Sequence, residues 1–371
     1  MSGRLLRLIC TAAVAAHAAL VPAPAAAAPE PGPGRDRGVA ELLTDLQRLY
    51  REAEKATETY NATEEKLRAQ RAEVERLDRA LSRVRLSLHD SRRAAGRLAR
   101  QQYQSTGISP YVRLLLAGDP QHAVDQGHVI GRLARERAEA VGRLTGTERK
   151  ADELARKARA ALDTRLTLAE RHRRQRDDVR RRLDAVEALL ASLTPGRLAA
   201  LAEFEERSVE KAQRELVASG ALGDGLGDGL GDDPGDGLGD DLGDGLDDDA
   251  KPSGRGDRAL DYALRQLGKP YEWGAEGPRT YDCSGLTSEA WAAAGVPVPR
   301  TSQEQWARLP RVPLTELRPG DLVVYHPDAT HVALYAGDGQ VVHAPRPGER
   351  IKLSPIANNP ILGAVRPDAE R

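Results

Sequence analysis

The sequence predicts an α+β protein in three parts: a long antiparallel α-helical coiled-coil hairpin, a disordered acidic linker, and a compact C-terminal unit in which helices precede an antiparallel sheet. Apolar residues recur at alternating spacings of three and four from Leu42 to Leu98. A Gly-Asp-Gly-Leu repeat follows the helical half. Beyond it, two helix-like runs lead into short β-rich runs punctuated by Gly, Pro and Asp. A length of 371 residues with only 4% aromatic content fits an elongated half joined to one small core better than large cores throughout.

Residues 1–28, "MSGRLLRLICTAAVAAHAALVPAPAAAA", combine two arginines, an apolar run and small residues, the pattern of an export signal cleaved after Ala26 or Ala28. The mature protein is therefore expected outside the cytoplasm, secreted or associated with the cell wall. No later run approaches the roughly 18 apolar residues that a membrane-spanning helix needs. Of the two cysteines, Cys10 lies inside the signal, so Cys283 is left alone and neither an internal disulfide nor a multi-cysteine zinc site is expected.

Residues 29–218 form the helical region. The seam runs through Leu42, Leu46, Leu49, Ala53, Ala56 and Tyr60 and onward to Leu98, about eight heptads, which specifies one long helix against a partner helix. At ~1.5 Å per residue that helix is about 90–100 Å long. A second stretch, 121–217, keeps the spacing less well, with Arg165, His172 and Arg182 interrupting it. Between them, "STGISPYVRLLLAGDPQ" supplies helix breakers and the apolar cluster Tyr111, Val112, Leu114, Leu115 and Leu116. That cluster is either a local cap on a hairpin or a docking surface for another protein.

Residues 219–256 carry 11 aspartates between 221 and 250 with only isolated leucines, too little apolar surface to offset the entropy of ordering. A flexible linker is expected. Clustered Asp and Gly resemble calcium-binding repeats, but the nine-residue period is missing. Lys and Arg number 38 against 31 Asp and Glu in residues 29–218, and 2 against 11 in the linker. A basic rod beside an acidic tether lets the two lie together, or lets the rod approach anionic polymers of an envelope. Export argues against nucleic acid as a partner.

In residues 257–371, "DRALDYALRQLG" and "SGLTSEAWAAAG" read as helices, and "DLVVYH", "HVALYAG", "QVVHAP" and "RIKLS" as strands. Cys283 falls at the first turn of the second helix, where free N–H groups and the helix dipole favour a thiolate and could stabilise an oxyanion. A thiol nucleophile works with an imidazole base that is itself held by a polar partner. The unit has three histidines. His331 opens one strand and His343 closes the next, and a tight turn at 337–339 brings those ends side by side. His331 is thus placed as base and His343 as its partner, while His326, just before Pro327, is expected on the surface.

The motifs "GKPYEWGAEGPRTYDCSGL", "VPRTSQEQ", "RPGDLVVYH", "HVALYAG" and "VVHAP", in this order, resemble the NlpC-type cell-wall peptidase family. The resemblance implies a papain-like fold that cuts peptidoglycan stem peptides, with Cys283 as nucleophile, His331 as general base and His343 as the orienting residue. It also implies that Tyr271 lies beside the nucleophile, on substrate or oxyanion, and that Asp282 and Ser284 are substrate-subsite positions. For the last two, helix capping and a back-bonded hydroxyl are the plainer readings. The implied bond joins the γ-carboxyl of D-glutamate to the diamino acid, with no metal or organic cofactor. The helical half more loosely resembles coiled-coil regions of secreted wall-hydrolase regulators, which implies docking on a membrane complex or blocking of the catalytic cleft. A coiled-coil adaptor with a peptide-binding domain, and an amidase or acyltransferase with the same triad, remain as alternatives. The rod and tether together predict a full-length chain less active than residues 257–371.

Overall fold

The computed structural model describes residues 38–104, 110–115, 119–223 and 253–369. The expected export signal, the linker repeat with its candidate calcium positions, and part of the apolar elbow lie outside them. Two compact units emerge: residues up to 62 together with those from 174 onward, and residues 63–173.

Helices α1 (Val39–Gln104) and α3 (Pro120–Ala191) contribute to both units, with a short α2 (Pro110–Leu115) between them in sequence. In the second unit, Val74 and Leu77 of α1 pack with Leu154, Ala158 and Ala161 of α3. Gln70 bonds the Ala161 carbonyl at 2.9 Å, and Arg92 meets Glu148 at 3.1 Å, so the two segments run antiparallel. In the first unit, Leu42, Leu43, Leu46 and Tyr50 bury against Val186 and Leu201, and Arg182 ends on Glu52 at 3.0 Å. The polar interruption at Arg182 is therefore filled by an ion pair. No single described helix is long and apolar enough to cross a membrane.

The second helical stretch is not continuous to 217. It breaks after Ala191, and a separate α4 (Pro195–Ala218) begins. Thr194 caps α4 through its side chain, and Pro195, which lacks an N–H, occupies the first helical position. "LTPGR" held this signal, but an unbroken apolar spacing across it masks the boundary.

The C-terminal part starts with Ser253 capping α5 (Gly254–Leu264), followed by α6 (Cys283–Ala293) and α7 (Ser302–Arg308). Six antiparallel strands follow: β1 (Arg311–Val312), β2 (Leu322–Tyr325), β3 (His331–Gly337), β4 (Gln340–His343), β5 (Lys352–Pro355) and β6 (Ile361–Val365). Their order in the sheet is β1-β6-β2-β3-β4-β5. Strand periodicity divides the core by face. Leu322, Val324, Val332, Leu334 and Val342 pack under α5 and α6, against Ala259, Ala263, Leu286, Ala290 and Trp291. Val323, Tyr325, Ala333, Tyr335 and Val341 form the other face, covered by Leu216 of α4 and by Leu222. Gln213 of α4 bonds both Gly339 O (3.2 Å) and Ala357 N (3.1 Å). The end of α4 thus belongs to the sheet's packing, and Leu222, inside the stretch expected to be linker, is part of it.

Candidate active site

Helix α6 begins at Cys283 because Asp282 stops the preceding extended chain and caps it: Asp282 Oδ1 accepts from Gly285 N at 2.7 Å. The loop before it lies very close. Asp282 N donates to Ala275 O at 3.0 Å, and a Cβ added at Gly285 would stand 2.2 Å from that same carbonyl oxygen. Gly285 is therefore required by backbone approach rather than by its own conformation. Gly285→Ala should push the loop off the helix and cost on the order of 2–3 kcal/mol in a denaturant titration. A loss under about 0.5 kcal/mol, the range of a neutral surface change, would refute the close approach.

His331 and His343 leave their strands on one face of the sheet, by parity with Ala333, Tyr335 and Val341. His331 Nε2 and His343 Nδ1 are 2.9 Å apart, and His343 Nε2 lies 3.0 Å from Ser354 Oγ. One of the two tautomer arrangements this chain allows leaves His331 able to act as a base. With His343 Nε2–H donating to Ser354 Oγ, His343 Nδ1 accepts from His331 Nε2–H, and the lone pair of His331 Nδ1 faces the cleft. Asn358 Nδ2 lies 3.2 Å from the same nitrogen, and Asn358 Oδ1 accepts from Asn359 Nδ2 at 3.2 Å. Ser354 is a positioning residue at two removes from the cleft. Ser354→Ala should lower kcat about fivefold, the worth of one ~1 kcal/mol hydrogen bond, while KM holds. An unchanged kcat would show that Ser354 does not set the tautomer.

The cleft is occupied by α1, within the same unit. Glu58 Oε1 accepts from Ser284 Oγ at 2.7 Å and from Cys283 Sγ at 3.8 Å, and Glu58 Oε2 accepts from Ser302 N at 3.1 Å. Glu54, one turn earlier, brings Oε1 to 3.5 Å from His331 Nδ1. That nitrogen makes no hydrogen bond, so the thiol and the imidazole are not bonded in this conformation. Asn61 donates to Asp282 Oδ2 at 3.0 Å, and Tyr60 stands edge-on to Trp273 with centroids 5.1 Å apart.

These contacts correct the expectation of a thiolate. Burial first, then the carboxyls of Glu58, Asp282 and Glu54, push the Cys283 thiol well above its usual range, against a weaker opposing hydrogen bond from the Val332 backbone. The dipole argument holds for an open helix end, and here the end is covered. Burial, then His343 and His326, hold His331 well below an ordinary histidine, and burial takes His343 down to about 3. Both rings are neutral.

The remaining expected positions separate. Tyr271 is buried with Cys283 in one cluster, and burial followed by the Cys283, Asp282, Glu54 and Glu58 charges pushes its phenol well up. Ser284 is not back-bonded: its hydroxyl donates to Glu58 and accepts from Arg300 at 2.8 Å, so it faces the cleft. Asp282 is fully buried and consumed by Arg300, Gly274 N, Gly285 N and Asn61, which makes it a cap and a brace. His326 is not a surface residue. It is 5% exposed, in a left-handed turn at φ 64°, with its N–H on Pro360 O. The chain turns back there between β2 and β3, and the ring is buried, near enough to His331 to lower its proton affinity. Arg300, Ser302, Glu54 and Glu58 were not legible as site residues. "VPRTSQEQ" had flagged the first two only as motif, while Glu54 and Glu58 read as part of a solvated helix face. Among the described residues, no group of three or more His, Cys, Asp or Glu side chains is arranged to hold a metal.

Residues 268–364 match the NlpC/P60 family. A probable endopeptidase of Corynebacterium glutamicum is 41% identical over 111 residues, 30% of this chain and 53% of that protein, so the chain spans about half the length of that relative. A probable endopeptidase of Mycobacterium tuberculosis is 29% identical over 358 residues, 88% of this chain and 89% of that one. Among solved structures, NlpC1 of Trichomonas vaginalis is 30% identical over 30% of this chain and 44% of its own, with a TM-score of 0.29.

Proposed function

Because residues 268–364 belong to the NlpC/P60 family, we propose that this chain is an exported peptidoglycan endopeptidase, closed by its own helix α1 in the conformation described. The observation that carries the reading is the His331–His343 pair at 2.9 Å, with a free Nδ1 turned to the cleft where Cys283 starts a helix. With α1 withdrawn, His331 Nδ1 takes the thiol proton and Sγ attacks the peptide carbonyl carbon. The N–H groups at the start of α6 receive the developing oxyanion, beside Tyr271. The C–N bond breaks, the amine leaves with the proton from His331, and a thioester remains. Water then loses a proton to His331 and adds to the thioester, and the C–S bond breaks to release the acid. Nothing in these steps requires a metal or organic cofactor. The bond best matching the family resemblance joins the D-glutamyl γ-carbonyl to the diamino acid, and the helical half would dock on a membrane complex.

The test is digestion of purified sacculi by the full chain, with products weighed by mass spectrometry. Cut stems support the reading. Intact sacculi from both the closed and an opened form would favour an adaptor, and altered linkages without cut stems an acyltransferase. Truncation at 257 is a poor route to an opened form, since it removes the Ser253 cap and the α4 cover of the sheet.

A further inference from the structure

The contacts that close the cleft raise the question of what holds α1 there. Glu54 and Glu58 are both buried, one helical turn apart, and both face the sheet unit. Around Glu58 stand Asp282, Arg300 and Cys283, with the hydroxyl of Ser284 and the N–H of Ser302. Around Glu54 stand Glu58, Arg346, Asp328 and Arg51, with His331 Nδ1 3.5 Å away and His326 acting electrostatically on His331. Arg51 is exposed to solvent, and the two buried cations are already engaged. Arg300 is bound by Asp282 at 2.7 Å and Glu276 at 2.9 Å, and Arg346 by Glu205 at 2.7 Å and by Glu349. Lys55 reaches only Asp328, at 3.2 Å on the rim. Three carboxyls, Glu54, Glu58 and Asp282, thus crowd a dry cleft that offers one guanidinium in direct contact. One oxygen of Glu54, Oε2, has no hydrogen-bond partner at all. A buried anion in that position has nothing to pair with, whereas a neutral carboxyl is tolerated.

We propose that Glu54 and Glu58 form a proton-held lock: α1 stays seated over Cys283 and His331 while the two carboxyls carry protons, and it lifts as they ionise. The inference rests on the reading of this cleft as the active site only for its consequence, which is latency of the peptidase; the lock itself is a property of the helix contact. The direction of the proton affinities agrees. Burial first, then Glu58, raises Glu54 from an ordinary 4.5 to about 8, and burial first, then Asp282, raises Glu58 to about 8 against the opposing pull of Arg300 and of the hydrogen bonds from Ser284 and Ser302. The sign follows. A group with a higher affinity for its proton in the closed form favours closure fully below its open-form value near 4.5, and that preference is lost as pH rises through about 8. Each proton released on opening contributes up to about tenfold per pH unit to the open population. Opening also removes Glu54, Glu58 and the burial that keep the Cys283 thiol protonated, leaving Asp282 in place, so the release that admits substrate also favours the thiolate.

The experiment is hydrogen exchange on the full chain, read on peptides covering residues 50–61 and 300–305, the latter containing the Ser302 amide that donates to Glu58. After correction for intrinsic exchange, protection in the wild type should fall at least tenfold between about pH 5.5 and 8.5. In the double variant Glu54→Gln/Glu58→Gln, which keeps shape but cannot ionise, protection should stay level over that range. Equal wild-type protection at both ends, or an equal fall in the double variant, overturns the lock. Should the double variant fail to fold, the wild-type profile alone decides, and Glu54→Gln should reduce its slope. None of these readouts depends on catalysis. A lock that opens on sacculi left intact would refute the peptidase and leave the lock standing.

Discussion

Glu58→Arg in the full-length chain should raise stem-peptide cleavage at neutral pH by at least about tenfold, and adding Cys283→Ala to that background should abolish it. The first half follows from charge. Glu58 sits against Arg300, which is 6% exposed in its side chain and already bonded to Asp282, Glu276 and Ser284. A second guanidinium there meets a like charge in a cleft with no free anion beyond the crowded carboxyl pair, and an uncompensated buried charge costs several kcal/mol. A shift of ~1.4 kcal/mol toward the open form is already a factor of ten in its population wherever the closed form dominates. The second half follows from the chemistry. Without Sγ no thioester forms, and loss of a catalytic nucleophile typically removes three or more orders of magnitude from kcat. Cleavage of sacculi, followed by mass spectrometry of released stems, measures both halves. An opened chain that still cuts without its sulfur would end the assignment of Cys283; an opened chain that cuts no faster would end the view that α1 holds the enzyme latent.

Much of this site was readable before the fold because its chemistry is local. Cys283 was placed by the start of a helix that a single Asp caps, and His331 and His343 by a two-strand hairpin whose turn residues fix the pairing. Periods of two and of 3.6 are properties of neighbouring residues, so strands and helices could be read from them. What escaped was contact at long sequence separation. The pairs Glu58–Ser284 and Asn61–Asp282 are 226 and 221 residues apart, and nothing in "EAEKATETYNA" distinguishes a buried acid from a solvated one. Along α1, Tyr50, Glu54, Glu58 and Asn61 make a second buried stripe beside the apolar seam, but a polar stripe has no hydrophobic period to betray it. His326 escaped for a different reason. A histidine before proline in a turn usually faces water, and only its left-handed backbone folds this one inward. The thiolate expectation failed on the same long-range contact, since a helix dipole is weighed against burial that sequence does not reveal.

Arg300→Ala should destabilise the C-terminal unit by about 3–5 kcal/mol, the cost of stripping one partner from a buried ion pair. The guanidinium makes a forked contact with Asp282, Nη1 to Oδ1 at 3.0 Å and Nη2 to Oδ2 at 2.7 Å, while Nε reaches Glu276 at 2.9 Å and Nη1 also reaches Ser284 Oγ at 2.8 Å. Asp282 is 0% exposed, so without Arg300 its charge is left to the Gly274 and Gly285 N–H groups, the Asn61 amide and the Ser284 hydroxyl. The Gly274 and Gly285 N–H groups hold the 274 loop and the start of α6, which ties the loss of one side chain to the position of Cys283. All three tryptophans, Trp273, Trp291 and Trp306, lie in this part of the chain, so their fluorescence in a urea titration reports its unfolding rather than that of the helices. Arg300→Lys separates charge from geometry. A lysine keeps the cation but cannot form the fork, so it should recover only part of the loss. Full recovery would mean that the charge alone matters, and a loss below about 1 kcal/mol in Arg300→Ala, the worth of an exposed pair, would mean that Asp282 is not anchored by this residue.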